Sequence, residues 1–294
     1  MSKIATIGFF DGVHKGHQFL FAQVCSIAKQ EGLQPLIVTF DQHPRAVLQN
    51  DYIPQLITSL EERRALLQQY AEVLVLPFGQ IQALTAQQFM SFLKDEYDVQ
   101  KIVMGYDHRF GSDRMPHIQD YCRVAQKIGV EVIRQKEFVD GELHISSTEI
   151  RNALVNGNII LANELLGWNY SLTGVVVKGK EIGRTIGFPT ANLSLEHDGK
   201  IIPKNGVYAV KASSDLFDST MGILNIGNNP TLGTNPRTIE LHIPHFSGDL
   251  YGKTITIHFL RFLRKEKCFD NLSELKAQIE QDLILAAWVV PEEA

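Results

Sequence analysis

Two histidines stand three residues apart, directly after a strand-like N-terminal segment. The stretch GFFDGVHKGH, residues 8–17, continues the run KIATIGF and contains Gly8, Gly12, Gly16, His14 and His17. A helix that begins near His17 presents free N–H groups and a positive dipole end, which favour phosphate. Imidazoles placed there can donate to phosphate oxygens as charge builds during transfer. The stretch therefore predicts a phosphate loop that matches neither Walker A nor GxGxxG, although two ordinary loop histidines are the alternative.

A second candidate anion site is ISSTEIR at residues 145–151. Its hydroxyls, the backbone amides of a helix start and the guanidinium of Arg151 together suit a phosphate. The alternative is a simple helix N-cap followed by a surface arginine. Two such segments beside one sheet favour the functional interpretation of both.

A third stretch, VVVKGKEIGRTIGFPTANL, spaces Gly179, Gly183 and Gly187 evenly before Pro189. It predicts either a flexible flap over phosphates or a hairpin with ordinary turn glycines. Thr190 and Asn192 alternate along the strand that follows, so their oxygens face one side. Such a pair can hold a Mg²⁺ that keeps most of its water and phosphate ligands, whereas the alternative is a strand with a wet polar face.

The segment GDLYGKT at residues 248–254 is similar to a Walker A loop but has one residue too few between its glycines. It leads into the strand-like run TITIHFL, whereas a P-loop leads into a helix. We therefore reject a P-loop at this position.

The first half of the chain alternates strand and helix patterns, which predicts a doubly wound parallel sheet of the Rossmann-like kind. The strand-like runs are KIATIGF, PLIVTF, VLVLPF, KIVMG and VEVIRQ. Between them, helical periodicity covers HQFLFAQVCSIAKQEG, TSLEERRALLQQYAE, residues 85–97 and DYCRVAQKIG. Thr58 and Glu61 are spaced as a capping box at the start of the second of these helices.

The pattern of alternating strands and helices ends near Ser146. SSTEIRNALVNG predicts a helix that ends at Gly157, and NIILANELLG predicts a short second helix. From Tyr170 onward, short runs rich in Val, Ile and Thr are separated by Gly, Pro and Asn, which is typical of an antiparallel barrel or sandwich. A final helix, NLSELKAQIEQDLILAAW, follows. We place the domain boundary at residues 167–170, giving domains at 1–168 and 169–294.

Composition is that of an ordinary globular protein of 294 residues, with 44% hydrophobic and 21% charged residues. A net charge of −5 without a basic cluster argues against a nucleic-acid partner. Three cysteines without CxxC spacing favour reduced thiols in the cytoplasm over a zinc site or a disulfide framework. Asp11 interrupts any signal-peptide pattern, and LILAAWVV is too short to span a membrane, so no membrane association is expected.

The N-terminal motifs resemble the nucleotidylyltransferase superfamily. More specifically, GFFDGVHKGHQ, TFDQHP, GYDHRFG and ISSTEIR are similar to the adenylyltransferase module of prokaryotic bifunctional riboflavin kinase/FAD synthetases. The resemblance implies transfer of AMP from ATP to FMN with release of pyrophosphate. It implies catalytic roles for His14, His17 and Arg151, ATP binding by Gly8, Phe9, Gly16, Ser147 and Thr148, and flavin binding by Asp107 and His108.

Two departures from the family pattern lie in the implied flavin segment. The family usually has an aromatic residue, often Phe, at the position of His108, and a basic–x–Gly pattern where this chain has SDRMPHIQD. Asp107 has a turn residue as its alternative interpretation. Asp11, beside the histidines, is expected to fix the loop through backbone hydrogen bonds rather than to act in catalysis.

The second half resembles the riboflavin kinase module of the same family through GRTIGFPTAN, NGVYAV, NIGNNPT, IELHI and DLYGK. The resemblance implies a six-stranded antiparallel barrel with a terminal helix, and the conversion of riboflavin and ATP to FMN. An alcohol nucleophile needs a base, and the family's catalytic glutamate falls on Glu240. The resemblance also implies ATP binding by Gly179, Gly183, Gly187 and Pro189, Mg²⁺ binding by Thr190 and Asn192, and flavin binding by Arg264.

The sequence therefore predicts a Mg²⁺-dependent bifunctional enzyme that phosphorylates riboflavin and then adenylylates FMN. Glu240 and Arg264 have a solvent-exposed strand glutamate and a solvated charge as their alternatives. One alternative function is an enzyme in which only one half is active, the adenylyl step being the one lost through the segment after His108. Another is a catalytically silent flavin-binding or regulatory protein on the same scaffold.

Overall fold

The computed structural model describes residues 1–49, 51–106, 108–136, 138, 145–179, 183, 186–195, 199–228 and 237–289. The sequence prediction for Asp107 thus lies outside the described residues. The chain divides into two compact units, Met1–Ser147 and Thr148–Ala294. No helix formed by the described residues is both long enough and apolar enough to cross a membrane.

The first unit contains a parallel sheet, as predicted, built from the strands β1 (Lys3–Ile7), β2 (Gln34–Phe40), β3 (Glu72–Leu76), β4 (Val99–Met104) and β5 (Glu131–Arg134). These five strands lie in the order β3-β2-β1-β4-β5. The helices are α1 (Lys15–Glu31), α2 (Pro44–Leu48), α3 (Leu60–Gln68), α4 (Phe78–Ile81), α5 (Ala86–Tyr97) and α6 (Ile118–Lys127). A single 3₁₀ turn, Asp11–Val13, connects β1 to α1.

The central strand β1 is buried on both faces, as a parallel strand between two helical layers must be. Ala5 and Ile7 belong to the cluster that contains Phe89 of α5 and Tyr121 of α6. Ile4 points the other way, into the cluster formed with α1 and α3. Burial on both faces fixes the position of the carboxyl end of β1, from which the histidine loop (residues 8–17) departs.

Helix α5 begins where the sequence predicts, because Thr85 and Gln88 form a reciprocal capping box. The capping box predicted for α3 is wrong by one residue. Ser59 and Glu62, rather than Thr58 and Glu61, exchange the two capping hydrogen bonds. Thr58 cannot cap the helix since its amide and hydroxyl are engaged with the histidine loop.

The carboxylate of Asp11 is the main anchor of the histidine loop. Only 4% exposed, it accepts hydrogen bonds from the backbone N–H of Ile57 and of Thr58 at 3.0–3.1 Å, and one from the Thr58 hydroxyl at 3.2 Å. The N–H of Gly12 in turn donates to Thr58 Oγ1 at 3.1 Å. Asp11 therefore has the structural role that the sequence favoured.

The second unit is a closed six-stranded antiparallel barrel with the strand order β10-β7-β6-β11-β8-β9, which confirms the predicted class. Its strands are β6 (Ser171–Val177), β7 (Ala191–Leu195), β8 (Gly206–Ser213), β9 (Thr220–Asn228), β10 (Arg237–His242) and β11 (Thr254–Arg264). Helix α7 (Ser147–Asn156) begins at the last residue of the first unit, α8 is Ile159–Leu166, and the terminal helix α9 is Leu272–Val289.

Helix α8 is joined to the barrel by the side chain of Asn163. Its Nδ2 donates to the carbonyl oxygen of Phe259 in β11, and its Oδ1 accepts the N–H of Tyr170, each at 2.8 Å. Compactness thus places α8 with the barrel. The division at 168/169 concerns catalytic modules and stays a prediction.

Helix α9 closes one side of the barrel through a small apolar cluster and an ion pair. Ala286 is fully buried against Val207, Ala209 and Ile223 of strands β8 and β9. Asp282 of α9, 1% exposed, accepts hydrogen bonds from the Arg264 guanidinium at 2.8–3.0 Å. The helix is therefore attached to the end of β11 by charge as well as by packing.

We expect Asp11→Ala to lower the free energy of unfolding by about 2–4 kcal/mol, because three buried donors lose an ionised acceptor. Denaturant titration followed by circular dichroism measures this change. Asp95→Ala, which removes an exposed carboxylate of α5, is the matched control and should change stability by less than about 0.5 kcal/mol. Equal effects of the two substitutions would contradict the anchoring role of Asp11.

Candidate active sites

The histidine loop has a strained backbone. Phe10, Gly12 and Val13 all have positive φ angles, of 55°, 78° and 42°. Such angles are unfavourable for an aromatic and especially for a β-branched residue, and strain of this kind concentrates at functional sites. The Phe10 ring packs edge-on against His17 and Phe21, with centroids 5.1 and 5.0 Å away.

The loop brings the two predicted catalytic imidazoles face to face. The rings of His14 and His17 are stacked with centroids 3.6 Å apart and an interplanar angle of 20°. His14 is the N-cap residue of α1, which begins at Lys15 rather than near His17. A Cβ at Gly16 would lie only 3.3 Å from the His14 ring, so the glycine leaves room for the stacked pair.

Burial lowers the pKa of His17 well below its ordinary value, and the neighbouring imidazoles of His14 and His108 lower it further. Nδ1 of His17 is buried and has no hydrogen-bond partner among the described residues. His17 is therefore neutral at pH 7 in this state. A bound anion would favour the protonated form, because an opposite charge nearby raises a histidine pKa.

Ser147, the first residue of α7, meets the histidine loop. Its hydroxyl donates to the backbone carbonyl oxygen of Asp11 at 3.1 Å. Asp11 thus accepts a hydrogen bond from Ser147 on its backbone carbonyl oxygen, and hydrogen bonds from the segment before α3 on its carboxylate. Thr148 and Arg151 continue α7 in the second unit.

A cavity of about 300 Å³, the histidine cavity, lies at the carboxyl ends of β1, β4 and β5. This edge is where ligands bind in open parallel sheets. The lining residues include the predicted His14, Gly16, His17 and Ser147, together with Phe19, Leu20, Gly105, Tyr106, Gln135, Lys136, Phe138, Ile145 and Ser146. The sequence analysis singled out neither Tyr106, although it lies within GYDHRFG, nor Lys136, which belongs to no motif.

Other predicted residues of the first unit do not line this cavity. A Cβ at Gly8 would overlap the Phe10 ring. Phe9 is packed between the Arg63 guanidinium, 3.9 Å from its ring centroid, and the edge of His43. The backbone N–H of His108 donates to the carbonyl oxygen of Gly105 at 3.2 Å, and this bond forms a turn at the end of β4.

In the second unit, Glu240 stands between two asparagines. The strand register places it opposite Asn192 of β7 on one side and Asn225 of β9 on the other. Directly opposed residues of neighbouring antiparallel strands share a face and have Cβ atoms about 5 Å apart. The strand register thus flanks Glu240 with two amide side chains.

Pro189 and Thr190 directly precede strand β7, which pairs with the strand that carries Glu240. The Pro189 carbonyl oxygen lies 2.8 Å from Nδ1 of His242, and since a carbonyl only accepts, the imidazole donates. Burial lowers the pKa of His242, so a neutral ring holds this segment. A Cβ at Gly179 would overlap the amide of Asn192, so the glycine permits their close approach.

Two cavities meet at Thr190, which lines both. The glutamate cavity, about 330 Å³, is lined by Gly183, Ile186, Phe188, Thr190, Val207, Ile223, Leu224, Asn225, Glu240, His242, Arg264, Glu266, Lys267, Phe269, Leu275, Ile279 and Asp282. The turn cavity, about 350 Å³, is lined by Val176, Pro189, Thr190, Ala191, Leu241, Ile243, Phe246, Gly248, Asp249, Leu250 and Tyr251. One cavity is thus walled by the terminal helix and the other by the turn before β11.

The GDLYGKT segment lines the turn cavity but leads into strand β11, so a P-loop is correctly rejected there. Gly183 accepts the N–H of Phe188 on its carbonyl oxygen at 2.8 Å, and Gly187 has a φ of 88°. His242 is a site residue that the sequence reasoning missed. Its spacing of two from Glu240 on one strand was the available signal.

Arg264 lines the glutamate cavity, and its charge is paired with Asp282 rather than solvated. Its guanidinium carbon also lies 5.9 Å from the centroid of Phe269. The described residues contain no group of three or more His, Cys, Asp or Glu side chains arranged to hold a metal ion.

Comparisons with known proteins match both halves of the chain. A family model described as FAD synthetase matches residues 1–149, and one described as riboflavin kinase matches residues 166–289. A bifunctional riboflavin kinase/FMN adenylyltransferase from Escherichia coli (strain K12) is 35% identical over 96% of this chain and 91% of that protein. The protein of the same name from Bacillus subtilis (strain 168) is 37% identical over 95% of this chain and 90% of its own length.

A solved structure has the same fold over almost the entire length. The crystal structure of a protein described as a macrolide-efflux protein from Streptococcus pneumoniae has a TM-score of 0.87 and 32% sequence identity. The match covers 97% of this chain and 93% of that one. From the family models and the two long relatives we conclude that the chain belongs to the bifunctional riboflavin kinase/FMN adenylyltransferase family.

Proposed function

We propose that the barrel phosphorylates riboflavin to FMN, and that the parallel-sheet module adenylylates FMN to FAD. The observation that carries this assignment is a contrast between the two sites. Glu240 lines the glutamate cavity and lies between Asn192 and Asn225 in the strand register, whereas the described lining of the histidine cavity contains no carboxylate. One site suits a nucleophile that must lose a proton, and the other suits one that is already an anion.

In the kinase reaction, Glu240 acts as general base toward the terminal hydroxyl of the ribityl chain. The proton passes to the carboxylate as the alcohol oxygen bonds to the γ-phosphorus of ATP, and the bond to the β-phosphate oxygen breaks to release ADP. Asn192 and Asn225 flank Glu240 and restrict its orientation. The apolar residues Ile223, Leu275 and Ile279 suit the flavin ring in this cavity.

ATP of the kinase reaction occupies the turn cavity, where Phe246 and Tyr251 offer aromatic surfaces for its adenine ring. Thr190 lines both cavities and marks where the γ-phosphate meets the alcohol. The oxygens of Thr190 and Asn192 suit Mg²⁺, a hard cation that keeps several waters and phosphate ligands. Bound there, Mg²⁺ would neutralise phosphate charge.

In the adenylyl reaction, an FMN phosphate oxygen attacks the α-phosphorus of ATP, and the bond to the β-phosphate oxygen breaks to release pyrophosphate. A phosphate monoester has a second pKa of about 6, so it needs no general base at neutral pH. His14 and His17 donate to the developing charge, and Ser147 presents the start of α7. Thr148 and Arg151, on the same helix, complete the phosphate-binding residues.

The catalytic modules extend over residues 1–168 and 169–294, so that α7 and its Arg151 serve the adenylyl reaction. The enzyme acts in the cytoplasm. In support, all three cysteines, Cys25, Cys122 and Cys268, are free thiols. Within the adenylyl module, Asp107 and His108 bind the flavin.

Removing one catalytic group from each site should separate the two activities. Glu240→Ala should lower FMN formation from riboflavin by about 10²–10⁴-fold, the usual contribution of a general base. His17→Ala should lower FAD formation from FMN by about 10²–10³-fold, because a donor to the developing charge is lost. Chromatography of flavins after incubation with ATP and Mg²⁺ measures both conversions.

Each variant is the control for the other, and each should keep the untouched activity within about twofold, as expected for independent sites. If either substitution removed both activities from a folded chain, the assignment of two separate sites would be wrong. The unmodified protein should convert riboflavin through FMN to FAD. A product mixture that stops at FMN would mean an inactive adenylyl site, and unchanged riboflavin would refute both activities.

Arg264 allows a test that separates binding from stability. Arg264→Met leaves the carboxylate of Asp282 buried without its cationic partner and should cost about 3–5 kcal/mol of unfolding free energy. Arg264→Met combined with Asp282→Leu should restore most of that stability, since apolar pairs can replace buried ion pairs. The riboflavin KM of the double variant should stay about tenfold above the unmodified value if the guanidinium contacts the flavin. Its return to normal would leave Arg264 with a structural role only.

A further inference from the structure

Lys136 lines the histidine cavity but belongs to none of the motifs that mark this site. It follows strand β5 by two residues, and it shares the cavity with His14, His17, Ser146 and Ser147. The carboxyl end of β5 therefore forms a part of the cavity wall that belongs neither to the histidine loop nor to the start of α7.

The chain is fixed on both sides of Lys136. Before it, the N–H of Gln135 donates to the carbonyl oxygen of Met104 at the end of β4, at 2.8 Å. After it, the ring of Phe138 packs against Phe19 of α1 with a centroid distance of 4.9 Å. A lysine between two such anchors has its Cα held at the cavity, and its flexible side chain can reach an anion there.

The charges around the cavity make this lysine distinctive. Among the lining residues in the described part of the chain, none is Asp or Glu, and Lys136 is the only Lys or Arg. His17 is held neutral by its burial. An anion that enters the cavity therefore meets a full positive charge at Lys136 and neutral donors at His17, Ser146 and Ser147.

We propose that Lys136 is a phosphate-binding residue of the adenylyl site and contacts the polyphosphate chain of ATP. This inference rests on the proposed adenylyl function of the first module. An ammonium group binds phosphate as a point charge, so its contribution depends on charge rather than on a particular hydrogen-bond geometry. In this cavity it supplies attraction before the imidazoles acquire a proton.

A charge series at position 136 tests the proposal. The KM for ATP is measured in the conversion of FMN to FAD, with FMN supplied directly so that the kinase site plays no part. Lys136→Arg should stay within about twofold, Lys136→Met should raise this KM about tenfold, and Lys136→Glu should raise it about 100-fold. Lys127→Met and Lys127→Glu, at an exposed lysine of α6 outside the cavity, are the matched controls and should have no effect.

Circular dichroism and the kcat for FAD formation report whether the first unit of each variant is folded. Equal ATP KM values for Lys136→Met, Lys136→Glu and the unmodified protein would overturn the proposal. So would a series in which the KM for FMN rises while the KM for ATP stays constant, since Lys136 would then contact the flavin substrate.

Chemical protection gives a readout that does not depend on activity. Lysines of the unmodified full-length protein are acetylated with and without inorganic tripolyphosphate, and peptides containing Lys136 and Lys127 are quantified by mass spectrometry. Tripolyphosphate should slow modification of Lys136 several-fold and leave Lys127 unchanged; no protection of Lys136 would overturn the inference. A chain that forms no FAD yet shows this protection would refute the proposed function and leave the anion site standing.

Discussion

The first unit depends on one buried carboxylate. Asp11 satisfies the backbone donors of Ile57 and Thr58, and its own carbonyl oxygen receives the hydroxyl of Ser147. These partners come from segments about 46 and 136 residues away along the chain. The strained loop between β1 and α1 persists because the surrounding structure fixes it from both sides. The hydrogen bonds of Asp11 therefore also fix the position of the stacked His14 and His17 rings at the end of the loop.

In the proposed function, the two sites handle protons in opposite ways. Glu240 is a carboxylate kept between neutral amides, where it can take a proton from an alcohol. His17 is an imidazole kept neutral by burial, where it can gain a proton as an anion arrives. Under that proposal, the barrel supplies a base and the parallel sheet a set of donors, each matched to a nucleophile of different acidity.

Periodicity predicted the parallel sheet and an antiparallel barrel or sandwich, and spacing drew attention to the His14–His17 pair, whereas Glu240 was indicated only by the family resemblance. The errors arose where a distant segment decides the outcome. Thr58 has good capping chemistry, but Asp11 occupies it, so α3 is capped by Ser59 instead. A charge run near Arg264 gives no sign that Asp282 will pair with it 18 residues later. Lys136 has no sequence signal, because only the sheet brings the end of β5 beside the histidine loop.

The wall that α9 adds to the glutamate cavity has a consequence for the order of synthesis. Phe269 and the α9 residues Leu275, Ile279 and Asp282 line that cavity, and they follow every strand of the barrel in the sequence. A nascent chain with all six barrel strands outside the ribosome therefore still lacks an enclosed pocket for the flavin ring proposed to bind there. The parallel sheet is complete once β5 has emerged, so the half of the enzyme that performs the later chemical step is the first to be assembled.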